Sequence, residues 1–373
     1  MKVLIAIDSF KGSMTSIEAG HAAKEGILAA HPDAQVIIKP LADGGEGTTD
    51  ALIEGLNGKR IPLTVTGPFG DPISCYYGYL PETSTAVIEM AAAAGITLSD
   101  RHDPLTATTR GVGEMILDAV RRGCRDFIIG IGGSATNDGG IGMLSALGFS
   151  FLSENGSDAG EGGQALGKVC SVDVSGQDPR LKDCRFRVAC DVTNPLCGKN
   201  GATYIYGPQK GVTEDMKGPL DQAMSHYARV CASALGKDCS LAEGAGAAGG
   251  LGFAFLSFLN ARLIPGTSLI LEAVGLEEEL KDADIVITGE GRLDHQTAMG
   301  KAPVGVASLA KKYGAKVIAF AGSVTADATA CNDAGIDAFF PIVRGVTTLE
   351  EAMDPANARA NLAACAEQVF RLL

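Results

Sequence analysis

The chain has 373 residues, 46% of them hydrophobic, with 49 glycines, ten cysteines and a net charge of −13. That is enough for two ordinary domains; glycine, at nearly twice its usual share of roughly 7%, gathers at the ends of apolar runs, which excludes collagen-like and low-complexity chains. An acidic chain without a long basic block is not built for nucleic acid, and its anionic ligands need local positive charge.

The longest apolar stretch, 251–263, is broken by Ser257, Asn260 and Arg262 and is too short to span a bilayer, so no membrane partner is expected. The first seven residues enter a strand without the layout of a signal peptide. The cysteines show no C-x-x-C spacing, and reduced thiols in a cytoplasmic protein are the expectation.

In chain order, 2–7 is a short continuous apolar run, as expected of a strand buried on both faces. Thr15 and Glu18 have capping-box spacing, and a helix is predicted to about Ala30, stopped by Pro32. A strand over 35–40, a glycine turn at 43–47 and a helix over 49–56 complete a β-α-β-α opening. Three closely spaced strands follow at 60–67, 73–80 and 85–90, with turn signals between them, which predicts an antiparallel meander. A helix over 109–123 leads to a strand over 126–132, a loop of small residues through Gly140, and a helix over 141–147. Such a strand, glycine-rich turn and helix start form an anion trap, with backbone N–H groups facing the charge.

The polar stretch 153–166 is expected to be an exposed excursion. A strand over 185–192, a helix over 212–235, and a second glycine loop at 244–252 leading into a helix to about Leu263 come next. The βα rhythm then returns: a strand over 284–288, a charged loop at 289–294, a helix over 303–313, strands over 316–321 and 338–343, and a terminal helix over 356–373. With no linker, the pattern predicts one parallel α/β domain made of both chain ends (1–45 and 277–373) and a second α/β domain at 46–276 inserted between them.

In open parallel sheets ligands sit outside the carboxyl ends of the strands. Those ends carry Asp8, Lys11, Asp43, Glu46, Asn137, Asp138, Asp191, Asn194, Glu290, Arg292, Asp294, Ser323 and Arg344. Carboxylates mixed with Lys and Arg around glycine loops suit metal-assisted phosphoryl transfer. Plainer readings exist: Asp8 also suits capping of the next turn, Asn137-Asp138-Gly139 resembles a turn signal, and Glu46 suits a helix dipole. The five histidines lack metal or triad spacing. Gly244, Gly246 and Gly249 match G-x-G-x-x-G, but the polar 239–243 stretch before them is a poor strand, which argues against a dinucleotide site. Neither Gly198-Lys199 nor Gly300-Lys301 completes a P-loop.

Several motifs then stand in order: Asp8-Ser-Phe-Lys-Gly-Ser13, Ala42-Asp-Gly-Gly-Glu-Gly-Thr48, Gly130-Ile-Gly-Gly-Ser-Ala-Thr-Asn-Asp-Gly-Gly140, Cys190-Asp-Val-Thr-Asn-Pro195, Gly207-Pro-Gln-Lys-Gly211, Gly246-Ala-Ala-Gly-Gly-Leu-Gly252, Gly289-Glu-Gly-Arg-Leu-Asp294 and Gly300-Lys-Ala-Pro303. Together they make the chain closely resemble the bacterial glycerate kinase family of the first type, over essentially its full length. The resemblance implies ATP-dependent phosphorylation of D-glycerate, usually to 2-phosphoglycerate. It also implies a flavodoxin-like domain split between the termini and an inserted domain with a mixed, endonuclease-like sheet.

With that reaction in view, glycerate and MgATP are expected in a cleft between the domains. Asp191 is the first choice as general base, with Asp138 and Asp294 behind it. Lys11, counted with the catalytic group, and Lys210, Arg292 and Lys301 offset the charge of ATP and substrate. Asp8, Ser9, Gly132, Gly133, Ser134, Asn137, Asn194, Gly249 and Gly250 are expected binding residues, and Asp43, Glu46 and Glu290 are expected to hold Mg2+. The alternatives are 3-phosphoglycerate as product or an NAD(P)-dependent hydroxyacid oxidoreductase. A monomer or homodimer is expected.

Overall fold

The computed structural model describes residues 1–45 and 47–373; Glu46, an expected Mg2+ ligand, lies outside the described residues. The strands in chain order are β1 (Lys2–Ile7), β2 (Gln35–Ile38), β3 (Lys59–Thr66), β4 (Pro72–Leu80), β5 (Thr85–Glu89), β6 (Asp126–Gly130), β7 (Ser150–Leu152), β8 (Ser171–Asp173), β9 (Arg185–Ala189), β10 (Arg262–Ile264), β11 (Ile285–Leu293), β12 (Lys316–Val324) and β13 (Ala338–Pro341). The chain divides into two compact units. Met1–Asp43, Asp50–Asn57 and Thr267–Leu373 form the first, and Gly44–Thr49 and Gly58–Gly266 form the second.

The first unit holds a five-stranded sheet in the order β13-β12-β11-β1-β2, parallel throughout. Counted within the unit this is the 2-1-3-4-5 order of flavodoxin-like folds, with its topological switch between β1 and β11. Val3 to Ile7 are buried because both faces of the sheet are covered, which is why β1 reads as an unbroken apolar run. The helix Ser16–Ala30 starts at the predicted capping box: Thr15 accepts from the Glu18 N–H, and Glu18 from the Thr15 N–H. It packs on the terminal helix Pro355–Phe370 so closely that a Cβ on Gly26 would stand 2.0 Å from the Ala363 carbonyl oxygen.

One difference here bears on the site. The sequence predicts β11 to end at Thr288 and a charged loop to follow, but the strand runs on to Leu293. It is held there by pairing with β12 at Arg292↔Ser323 and Leu293↔Val324. The charges that suggested a loop stand on a paired strand. Because side chains alternate along a strand, Glu290 and Arg292 share one face.

The second unit holds a six-stranded sheet in the order β10-β9-β6-β5-β4-β3. β3, β4 and β5 form the predicted antiparallel meander, while β5, β6, β9 and β10 are parallel, so the sheet is mixed. Phe127 on β6 stacks on Phe186 of β9 with ring centroids 4.8 Å apart, inside a core that includes Ile88, Ile129, Val188 and Phe253.

Two expectations are corrected. The helix predicted to reach about Leu263 ends at Phe258; Asn260 takes a left-handed backbone (φ 48°), and Arg262–Ile264 then pairs with Arg187–Ala189 as β10. The polar stretch 153–166 is exposed over 154–158, but Gly162, Gly163, Ala165 and Leu166 are buried. Gly162 and Gly163 are there for close approach, since a Cβ on Gly162 would lie 2.3 Å from the Leu105 carbonyl oxygen and one on Gly163 2.6 Å from that of Pro104. All ten cysteines are free. No helix among the described residues is long and apolar enough to cross a membrane.

Candidate active site

In the first unit a cavity of about 700 Å³ lies at the carboxyl ends of β1, β11 and β12, the place where the strand order switches. β1 delivers Asp8 and Ser9, β11 delivers Glu290, Gly291 and Arg292, and β12 delivers Gly322 and Ser323. Lys11, Asp43, Asp294 and Lys301 complete a charged wall. The structure therefore gathers nine of the expected site residues in one place: Asp8, Ser9, Lys11, Asp43, Glu290, Arg292, Asp294 and Lys301, with Ser323 among the strand-end polar groups.

Asp8 is 9% exposed and accepts the Ser9 N–H at 2.7 Å. Burial pushes its carboxyl up to about 7; the Ser9 N–H and Lys11 pull it down, and the negative charges of Asp43 and Glu290 push with burial. Burial likewise raises Glu290, against the Thr297 hydroxyl that donates to it at 2.6 Å and the nearby Lys301 ammonium. Lys11 Nζ lies 3.9 Å from Asp43, and Arg292 Nε 3.6 Å from Asp294. Both cations are largely solvated, so they stay available to an anionic ligand at little cost. Asp294 also accepts the Thr297 N–H at 3.2 Å, capping the short helix His295–Ala298.

The remaining lining was not foreseen. Ser13 lines the cavity, and its buried Oγ has no hydrogen-bond partner among the described residues. Phe10, Ile342, Val343, Leu349 and Met353 give the cavity an apolar end. Such residues carry no charge to flag them. The helix Leu349–Met353 was still legible in Thr348 and Glu351, which form a capping box.

The other expected residues belong to the second unit, around the loop after β6. Asp138 is fully buried and accepts from the Thr109 N–H (2.9 Å) and hydroxyl (2.8 Å) and from the N–H groups of Gly140 (3.0 Å) and Gly142 (3.4 Å). Burial raises its pKa and these donors lower it. The Met143 N–H is taken by Thr109 Oγ1. The N–H groups at the start of the six-residue helix Ile141–Ala146 are thus used internally, so the helix start contributes none of the anion-facing donors expected of this stretch.

Gly249 and Gly250 serve packing. The Gly139 N–H donates to the Gly249 carbonyl at 2.9 Å, and a Cβ on Gly249 (φ 66°) would lie 2.0 Å from the Thr136 carbonyl oxygen. Asn137 is buried and donates to the Thr203 hydroxyl at 3.1 Å. Asn194 donates to the Asn200 carbonyl and accepts the Tyr206 hydroxyl. Asp191 is exposed and accepts the Gly266 N–H at 2.9 Å. Gly132 and Gly133 are exposed beside the buried Ser134. Lys210, expected to offset the charge of ATP and substrate, is 1% exposed and donates to Ser134 Oγ at 2.6 Å and to the Thr136 carbonyl at 2.7 Å. No strand precedes Gly244, so the context a dinucleotide fingerprint requires is missing.

Among the described residues, no three His, Cys, Asp or Glu side chains converge tightly enough to hold a metal by themselves. Asp43 and Glu290, two of the three residues expected to hold Mg2+, both line the cavity wall.

The model of the glycerate kinase family matches residues 3–373. The chain is 51% identical over 358 residues to a glycerate kinase of Bacillus subtilis (strain 168), covering 95% of this chain and 94% of that one. It is 49% identical over 354 residues to a glycerate 2-kinase of Escherichia coli (strain K12), covering 94% and 93%. A crystal structure provisionally named glycerate kinase 2, from Salmonella typhimurium LT2, superposes with a TM-score of 0.91 at 45% identity, over 99% of this chain and 97% of that one.

Proposed function

The chain belongs to the glycerate kinase family, and we propose that it transfers the terminal phosphoryl group of MgATP to the 2-hydroxyl of D-glycerate, giving 2-phosphoglycerate and ADP. The observation that carries this reading is the cavity at the β1/β11 switch, which joins a charged wall to an apolar end within about 700 Å³. A nucleotide needs both: an apolar slot for its base and cations for its phosphates. Near-half identity to a glycerate 2-kinase supports the acceptor and the position phosphorylated. Ten free cysteines suit a cytoplasmic setting.

In this reading Lys11, Arg292 and Lys301 offset the phosphate charge. The weak, solvated pairings of Lys11 and Arg292 leave those two free to turn toward it. Asp43 and Glu290 would hold the Mg2+ of the nucleotide, directly or through water, and the ion would supply charge neutralisation to the phosphates. Ser9 and Ser13 add hydroxyl donors. Asp8 is the proton acceptor: burial keeps its carboxyl basic near neutrality, where an ordinary aspartate is too weak a base. This favours Asp8 over the exposed Asp191, whose carboxylate is occupied with the Gly266 N–H.

Phosphorus NMR of the product formed from MgATP and D-glycerate tests reaction and regiochemistry together. A single 2-phosphoglycerate resonance is expected. 3-Phosphoglycerate refutes the regiochemistry, and the absence of any phosphorylated glycerate refutes the activity.

A further inference from the structure

The buried lysine of the second unit has a geometry that the kinase reading does not use. Lys210 Nζ donates to Ser134 Oγ at 2.6 Å and to the Thr136 carbonyl at 2.7 Å. In its charged form Lys210 has only protons to give, and Ser134 Oγ is then the acceptor in that contact. The serine's own O–H is thereby turned away from Lys210, and it meets no acceptor among the described residues.

The surroundings are built rather than accidental. Lys210 is 1% exposed and Ser134 7%, while Gly132 and Gly133, immediately before Ser134, are exposed. The N–H groups of Gly132, Gly133 and Ser134 donate to nothing among the described residues. Thr136 Oγ1 and Asn137 Oδ1, on the same loop, are buried without partners. A buried polar group normally finds a partner, so a cluster left short of partners marks a place where something else supplies them.

We infer that Ser134 is an oxyanion-binding hydroxyl, aimed by Lys210 as a positioning residue, which together with the N–H groups of Gly132 and Gly133 receives an anionic oxygen of a substrate. Burial pulls Lys210 down to about 7, with Asp138 pulling the other way; two hydrogen bonds hold the ammonium in place at that cost. The inference rests on the kinase reading, in which two anionic oxygens are available: the hydroxy-acid carboxylate and a nucleotide phosphate.

The test is steady-state kinetics of the full chain, with separate KM values for D-glycerate and MgATP. Ser134→Ala is expected to raise one KM about tenfold or more, the usual worth of a hydrogen bond to a charged group. Ser134→Thr, which keeps the hydroxyl, should stay within about threefold. The KM that moves identifies the source of the oxygen. Lys210→Met, or Lys210→Gln where the first does not fold, should raise the same KM, and adding Ser134→Ala to it should raise that KM no further. If Ser134→Ala leaves both KM values within about twofold of wild type, the inference is overturned. If the folded Lys210 variant leaves them unchanged, the positioning role is overturned. Should the wild-type chain form no phosphorylated glycerate, the kinase reading falls and the inference with it; normal turnover with an unmoved KM sinks the inference alone.

Discussion

The Thr297 hydroxyl donates to Glu290 at 2.6 Å and accepts the Asp294 N–H at 3.2 Å, so one side chain ties the end of β11 to the turn that follows it. Thr297→Val keeps the shape and removes both bonds. It should lower stability by about 1–2 kcal/mol and kcat/KM by roughly tenfold, as Glu290 loses its fixed orientation. Chemical denaturation and initial rates measure the two effects; a stable variant with normal kinetics would show that Glu290 needs no anchor.

Asp8→Asn and Asp191→Asn separate the two carboxylates proposed for proton transfer. Asp8→Asn should lower kcat by about 10²–10⁴-fold with little change in substrate KM, the signature of a lost general base. Asp191→Asn should hold kcat within about tenfold, because an exposed carboxylate bracing the Gly266 N–H acts on loop geometry. The reverse ranking returns the role to Asp191.

The burial of Asp8 also has a stability signature. Its pKa rises to about 7 in the folded chain, above the ordinary 3.8. Below pH 4 both states hold the proton and burial carries no such cost. Between about pH 4 and 7 the unfolded chain releases a proton that the native chain keeps, so stability falls as pH rises; above 7 the loss is complete. Asp8→Asn removes this dependence. It should therefore gain on wild type by on the order of 2–3 kcal/mol between pH 5 and pH 8. Denaturation curves at the two pH values check this, and a constant difference would place the native pKa near the ordinary value.

Gly249 and Gly198 both hold positive φ, yet only the first is confined: a Cβ on Gly249 meets the Thr136 carbonyl at 2.0 Å, and one on Gly198 meets nothing within 4 Å. Gly198→Ala should cost about 1 kcal/mol in backbone strain alone. Gly249→Ala should cost more than about 3 kcal/mol, because two loops must part. Thermal melts compare them; similar melting temperatures would mean that the loops tolerate separation.

The sequence by itself determined the α/β class, the antiparallel meander, the first helix down to its Thr15–Glu18 capping box, and the family, because these depend on local periodicity, capping chemistry and ordered motifs. It also brought forward Asp8, Lys11, Asp43, Glu290, Arg292 and Lys301, since charges beside glycines at strand ends are visible in one dimension. Only the tertiary structure decided what each polar residue faces. The pairing with β12 turned the charged 289–293 stretch into strand and put Glu290 and Arg292 on one face. Packing buried Asp138 and Lys210, which read in the sequence as available charges, and committed them to partners within their own unit. Burial depends on contacts between segments far apart in the chain, which periodicity does not report. For the same reason Ser134, one small hydroxyl in a glycine loop, acquires a direction only when Lys210 arrives from 76 residues away.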